Sequence, residues 1–198
     1  TETQMDTGPL LVDIDIRHDL SIVSRQYSEL NIGELVNGYL DIYKNIYQFD
    51  DDTEIQFYIL EKQTINPVEK KGYTKDGIHI IISLHCDRIT QQLVREKIIA
   101  NMDDIWNREE LGITNDWDSV FDKGISTGKT NWQMFGCQKP NHQPYQMTQI
   151  YNAQYNSSIN DFNISSDGPE SFDYAKDIFK LSARYPDHYE PFMQSEFI

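Results

Sequence analysis

Two aspartates inside an apolar run constrain this chain more than any other feature. The segment Leu10 to Asp19 reads LLVDIDIRHD. Side chains alternate across a strand, so Val12, Ile14 and Ile16 point to one side while Asp13 and Asp15 point to the other. An ionised carboxylate taken out of water costs several kcal/mol unless a positive group meets it, and two such neighbours repel. A divalent cation held between them is the simplest relief. The alternative on this stretch alone is a solvated edge strand whose outer face carries two Asp, since short Asp-x-Asp patterns also arise by chance.

A second informative stretch is Lys75 to His85, KDGIHIIISLH. Ile78, Ile80, Ile82 and Leu84 share one strand face; His79, Ile81, Ser83 and His85 share the other. Lys75, Gly77 and His79 have the same parity. If the strand reaches back to Lys75, a cation, a bare backbone position and an imidazole point the same way, which suits a polyphosphate. The third stretch is Ser119 to Pro140, SVFDKGISTGKTNWQMFGCQKP. Val120 and Phe121 read as a strand end delivering Asp122, and Asn131 to Phe135 as a returning strand, together a hairpin. TGKT is not a phosphate loop: Gly124 to Gly128 encloses three residues where that motif needs four, and a strand-like run follows.

Between these stretches, Asn31 to Gln48 reads as an amphipathic helix with Asn31 and Glu34 as a capping box. Asp50, Asp51 and Asp52 read as a solvated loop. Ile55 to Leu60 is a strand, and the Lys-rich stretch through Pro67 to Lys75 is a loop. Asp87 to Trp106 is a helix capped by Asp87, with Ile89, Leu93, Ile98, Met102 and Ile105 inward. Further on, Gln146 to Tyr155 is a strand, Asn156 to Gly168 a polar loop, and Ser171 to Ser182 a helix with Phe172, Ala175, Ile178 and Phe179 inward. The last residues, with Tyr189, Phe192 and Phe197, are a packed tail or a linker.

The 198 residues suffice for one domain, 1–198, with a real core. No apolar run approaches the length of a membrane span. The opening TETQMDTGPLL lacks the charged and apolar regions of a secretory leader, and Met is not first, so the chain is expected to be a piece of a longer one. Cys86 and Cys137 make no disulfide framework and fit a reducing compartment. With His85 and His142 they number four zinc-type ligands, but at spacings that match no common zinc pattern. The net charge of −15 opposes nucleic acid in bulk. Its distribution is uneven: 3 basic against 13 acidic residues over 1–61, 11 against 11 over 62–139, and 3 against 8 over 140–198.

The order Asp-x-Asp, Lys-x-x-x-His at the head of an apolar strand, then a later Asp followed by W-x-M-F-G-x-x-K-P, resembles the primase-polymerase domain of the archaeo-eukaryotic primase superfamily. The likeness covers residues 10–140 and is greatest to the N-terminal domains of primase-helicases from large nucleocytoplasmic DNA viruses. It implies an α/β (α+β) fold, a mixed, mainly antiparallel sheet flanked by helices with an RRM-like core. Asp13, Asp15 and Asp122 match the catalytic, metal-binding acids for Mg²⁺ or Mn²⁺. His79 matches the histidine on the incoming nucleotide's phosphates, and Lys75 and Lys139 the phosphate-binding lysines. The family often has Ser where Gly77 stands, so that contact can only come from backbone. Some relatives carry Arg in the hairpin after the third acid, where this chain has Lys123 and Lys129; Lys129 is counted with the nucleotide-binding set.

The resemblance therefore implies an enzyme of viral DNA replication, a DNA primase that transfers nucleotides from nucleoside triphosphates onto a primer along a DNA template. A helicase module is expected in the full-length chain, and an intracellular location in the host cytoplasm. Three carboxylates suit the metal chemistry, while lysines and a histidine suit phosphate positioning. Two rivals are a docking domain of a replication helicase and a metal-dependent nucleotide-sugar transferase, which also uses Asp-x-Asp but explains neither His79 nor Lys139.

Overall fold

The computed structural model describes residues 1–140 and 142–194. Strand β1 (Thr7–Asp19) is followed by helix α1 (Glu29–Ile46), strands β2 (Tyr47–Gln48), β3 (Glu54–Glu61), β4 (Asn66–Val68) and β5 (Tyr73–Asp87), and helix α2 (Arg88–Ile105). Then come the single-turn helices α3 (Trp117–Val120) and α4 (Lys123–Ser126), the hairpin β6 (Gln146–Asn156) and β7 (Asp161–Asp167), the short α5 (Tyr174–Asp177), and β8 (Phe192–Met193). The main sheet runs β1-β5-β3-β6-β7 with β4 also on β5, and its pairings are antiparallel. Because β1 and β3 both oppose β5, they are parallel to each other and joined by α1, a split β-α-β arrangement. This is the expected mixed α/β class with a mainly antiparallel sheet. On the free side of β1 the described residues include one isolated bridge, Ile14 to Phe121, with the Asp122 and Thr114 amides donating to the Asp13 and Arg17 carbonyls.

The β1–β5 register is fixed by isoleucines. Ile14, Ile16, Ile78, Ile80 and Ile82 are wholly inaccessible and meet α1 and α2 in the larger core, with Leu35, Val36, Ile98 and Met102. Each contributes on the order of 1.5–3 kcal/mol by burial. A slip by one residue would surrender those terms and turn Asp13 and Asp15 into the apolar face, so competing registers are excluded. The other face carries a smaller core of Leu11, Tyr58, Leu60, Ile81, Trp132, Tyr145 and Met147 under the irregular chain beyond α4. No helix among the described residues is long and apolar enough to cross a membrane.

Several boundaries differ from the sequence-based expectation. α1 starts at Glu29 with Ser28 as its cap, and the Asn31 Oδ1 accepts from the Ser28 amide at 2.9 Å, so Asn31 sits inside the first turn. The helix stops at Ile46 because Tyr47 and Gln48 pair with β8. The Asp87 carboxylate does cap α2, accepting from the Thr90 amide at 2.8 Å. Its inward stripe, however, runs through Gln91, Val94, Arg95, Ile98 and Met102, while Ile89 is 76 % exposed. The stretch through Pro67 contains β4, and β5 already begins at Tyr73, so Lys75 lies within the strand.

The expected hairpin at 119–135 does not form. Val120 ends α3, Asp122 caps α4, and Trp132 makes a lone bridge to Glu2. Residues 156–168 are a tight turn plus β7, an edge strand with only Phe162 buried and hence without alternation to read. The helix expected at 171–182 is broken into short turns; Phe172 and Leu181 are buried, while Ile178 and Phe179 are 43 % and 69 % exposed. At the end of the chain the Tyr189 carbonyl accepts from the His85 amide at 2.7 Å, whereas Phe192 is exposed and Phe197 lies outside the described residues.

A buried ion pair holds the loop before α1 against β5. The Asp76 side chain is fully buried and receives Arg25 Nε at 2.9 Å and Nη2 at 3.0 Å, while Arg25 Nη1 meets Glu61 at 3.0 Å. Arg25→Met strands the Asp76 charge and is expected to cost about 3–5 kcal/mol in urea unfolding; adding Asp76→Asn should recover much of it.

Burial of His188 pushes its imidazole down to about 4 against an ordinary 6.5. The unfolded chain therefore takes up a proton first as the pH falls. Stability contributed by the neutral ring is complete above pH 6.5 and is lost progressively down to about pH 4. His188→Gln should flatten that part of the urea-midpoint profile, by roughly 2–3 kcal/mol over the whole window.

Candidate active site

The two strand motifs read separately in the sequence are cross-strand partners. Asp13 stands opposite His79, Asp15 opposite Gly77, and Arg17 opposite Lys75. Directly opposed and diagonal side chains on one sheet face lie within reach of one another. His79 Nε2 lies 3.3 Å from Asp13 Oδ1, and Lys75 Nζ 2.7 Å from Asp15 Oδ2. The extended conformation that the nucleotide-binding set required thus reaches past Lys75. All four side chains lie on the face away from α1 and α2.

Asp122 is brought up by the backbone. Its amide donates to the Asp13 carbonyl at 2.9 Å, next to the Ile14–Phe121 bridge. Arg95 of α2 secures this approach, donating through Nε and Nη2 to the Phe121 carbonyl at 3.0 and 2.7 Å and through Nη2 to the Asp118 carbonyl at 2.7 Å. The Asp122 carboxylate itself caps α4, with Oδ1 accepting from the Gly124 amide at 2.6 Å. Among the described residues no three His, Cys, Asp or Glu side chains are grouped closely enough to hold a metal ion, so neither the three acids nor the Cys86, Cys137, His85 and His142 set forms a ready-made cluster.

Asp13 and Asp15 nevertheless have the electrostatics of a cation site. Burial pushes Asp13 up, but His79, with Lys75 and Lys139 behind it, outweighs burial and holds the carboxyl below its usual range. Burial and the charge of Asp13 push Asp15 up, against the pull of Lys75. Asp13 Oδ1 is buried, and its one close polar neighbour is His79 Nε2 at 3.3 Å, too poorly aligned for a good hydrogen bond. A poorly satisfied buried carboxylate oxygen beside a second carboxylate pushed up by its neighbour fits a hard divalent cation, whose preferred ligands are such oxygens.

Three side chains around His79 escaped the sequence reading. Its ring stacks on Tyr145, with centroids 3.6 Å apart and planes 19° apart, and faces Trp132 at 4.5 Å. His79 is 3 % exposed, and its Nδ1 is buried without a partner. Lys62, at the end of β3, sets its Nζ 4.8 Å from the centre of the Tyr145 ring. Trp132 stood within a quoted motif. Tyr145 and Lys62 lie in stretches with no periodicity and gave no signal. Lys139 is exposed, yet near enough for its charge to bear on Asp13 and Lys62. Lys129 is exposed after α4 with no contact to the acid pair among the described residues, so the structure does not bring it into the set.

Residues 1–151 match the family model of the C962R protein N-terminal AEP domain. The chain belongs to this archaeo-eukaryotic primase family. It is also 29 % identical over 173 residues to a protein of Acanthamoeba polyphaga mimivirus named as a helicase, L207/L206. That alignment takes in 86 % of this chain but 18 % of the mimivirus protein, so the chain spans about a fifth of that relative. The part that matches the AEP model takes in β1, β5, Asp122, Lys139 and Tyr145, so the whole arrangement lies inside the AEP domain.

Gly77 has a steric explanation in this AEP domain. A Cβ at that position would lie 2.5 Å from the Tyr145 hydroxyl oxygen and 3.6 Å from the Ile14 carbonyl. The tyrosine occupies the space that a side chain on residue 77 would need. Gly77→Ser should push Tyr145 off His79 and cost about 1–3 kcal/mol in thermal or urea unfolding. Tyr145→Phe in the same chain removes the clashing oxygen and should return part of that loss; equal destabilisation in both backgrounds would mean that the clash is not the cause.

Proposed function

We propose that this AEP domain is a DNA primase: it synthesises primers on a DNA template by divalent-ion-dependent nucleotidyl transfer from nucleoside triphosphates. The observation that carries this reading is the register of β1 on β5. It sets Asp13 and Asp15 beside His79 and Lys75 on one face, with Asp122 tethered to the Asp13 backbone. Acids for metal and donors for phosphate meet where a triphosphate would have to bridge them.

In this reading Asp13, Asp15 and Asp122 would hold Mg²⁺ or Mn²⁺. The chemistry supplied by ions bound there is activation of the primer 3′-hydroxyl and neutralisation of charge on the triphosphate. Lys75 neutralises Asp15 in the free domain and is placed to turn its three donors to a phosphate once the acid has another counter-charge. His79, fixed between two aromatic rings, presents its imidazole in one orientation, which is positioning without covalent catalysis. Lys139 adds a mobile positive charge at the rim. Gly77, counted with the nucleotide-binding set, would act through Tyr145, whose ring it admits beside His79.

The acidic chain, at −15, predicts weak and salt-sensitive template binding by the domain alone. Other parts of a longer chain, including a helicase module, would supply the remaining affinity at a viral replication site in the host cytoplasm. One observation favours a second reading, a non-catalytic docking domain of a replication helicase: the Asp122 carboxylate is turned to its own helix.

Asp13→Ala combined with Asp15→Ala should lower primer synthesis on single-stranded DNA by at least about a hundredfold while far-UV circular dichroism is unchanged. Near-normal synthesis would end the assignment. A parent chain that shows neither synthesis nor manganese-dependent triphosphate binding would select the docking reading.

A further inference from the structure

Lys62 is a cation with no ion-pair partner among the described residues. It is only partly exposed, and none of the ion pairs among the described residues involves its ammonium group. The nearby acids are engaged elsewhere, Asp76 and Glu61 by Arg25, Asp15 by Lys75, and Asp13 by His79. Its backbone is held, since the Lys62 carbonyl accepts from Arg25 Nη2 at 2.9 Å. Its ammonium group lies 4.8 Å from the centroid of the Tyr145 ring that also stacks on His79. Burial, with the charges of Lys75 and Lys139, lowers its proton affinity against the weaker pull of Asp15 and Asp13. Three lysines thus lie close enough for their charges to bear on the acid pair, and of the two with no ion pair among the described residues Lys62 is the one held in place by an aromatic platform. A cation–π contact is a modest compensation for desolvation and like-charge repulsion, whereas an oligo-anion at the same point would compensate both.

We propose that Lys62, carried on Tyr145, is a phosphate-binding residue of this site and contacts the terminal phosphates of a bound nucleoside triphosphate. The inference rests on the reading of the site as one that binds triphosphates and adds to it a residue that directly follows β3, a strand that carries neither motif. A phosphodiester of the template strand offers the same chemistry, and the test separates the two sources. The triphosphate is favoured because Lys62 shares the Tyr145–His79 stack, whereas a groove for single-stranded nucleic acid would add exposed rings as base platforms; Tyr145 is 3 % exposed.

The test is calorimetric binding to the 198-residue chain of inorganic tripolyphosphate, a non-hydrolysable nucleoside triphosphate, a nucleoside monophosphate and a short single-stranded DNA. Lys62→Met, which keeps an apolar stem over Tyr145, should weaken tripolyphosphate and triphosphate binding by about tenfold and leave the monophosphate unchanged. Lys62→Arg, which retains the charge, should stay within about threefold of the parent. Unchanged tripolyphosphate affinity in Lys62→Met, beside clear losses in Lys75→Ala and His79→Ala, overturns this inference and leaves the function standing. A loss confined to single-stranded DNA also overturns it. A folded parent chain that binds no tripolyphosphate removes the function and this inference together.

Discussion

The molecule depends on one alignment, that of β1 against β5. Their thirteen paired positions set five isoleucines toward the helices, and the same alignment sets Asp13 against His79 and Asp15 against Gly77. The period of two ties these outcomes together: a register chosen by the apolar face dictates the polar one. The site therefore draws its precision from the core behind it. Residues of the acid pair need no favourable interaction of their own to be placed, and each can carry an electrostatic cost that the isoleucine face offsets.

Three acids of β1 and β5 each have a counter-charge, Asp13 and Asp15 on the polar face and Asp76 on the opposite one. Asp13 has His79, Asp15 has Lys75, and Asp76, one residue from both Lys75 and Gly77, has Arg25. The quality of the three pairs differs. Asp76 takes two good hydrogen bonds from a guanidinium and is wholly buried, the geometry of a structural pair. Asp13 Oδ1 has only a long, poorly aligned contact to His79, and the Asp15–Lys75 pair is a point-charge contact at the surface, side chains 28 % and 36 % exposed. The exposed Asp15–Lys75 pair is the one that can be exchanged for other partners at little cost. Neighbouring carboxylates on one strand end thus divide between holding the fold and remaining available.

What was legible in the sequence follows from the same distinction. Alternation exposed β1, β3, β5 and β6, and the Asp87 cap announced α2, because these signals are local. The pairing of β1 with β5 was not local, yet the motif order anticipated its consequence, with Lys75, Gly77 and His79 all on one face. The segment from 117 to 135 misled because Val120 and Phe121 are apolar and β-prone, whereas Asp116 and Asp122 cap successive single turns. Propensity there yields to Arg95, which gathers the Phe121 and Asp118 carbonyls and holds the turn against α2. Arg95, Tyr145 and Lys62 act across the fold at long sequence separation, and no spacing rule reaches them.

Tyr145 shows how packing of this kind shapes chemistry. Its ring is buried, and burial together with Asp13, Asp15 and Asp76 raises its hydroxyl far above the usual phenol range, so the group stays neutral beside three carboxylates. A neutral ring against His79 excludes water from one side of the imidazole without adding charge to a crowded region. The bare Gly77 backbone is what admits it. Holding His79 in this way is costly in conformational freedom, and the cost is met when the chain folds, before any ligand arrives. An imidazole already fixed beside the carboxylates needs no further ordering to meet a ligand; on the proposed function, a net acidic domain would present a local site for an anion because its few cations are placed in advance and the acids between them would hold the metal that accompanies it.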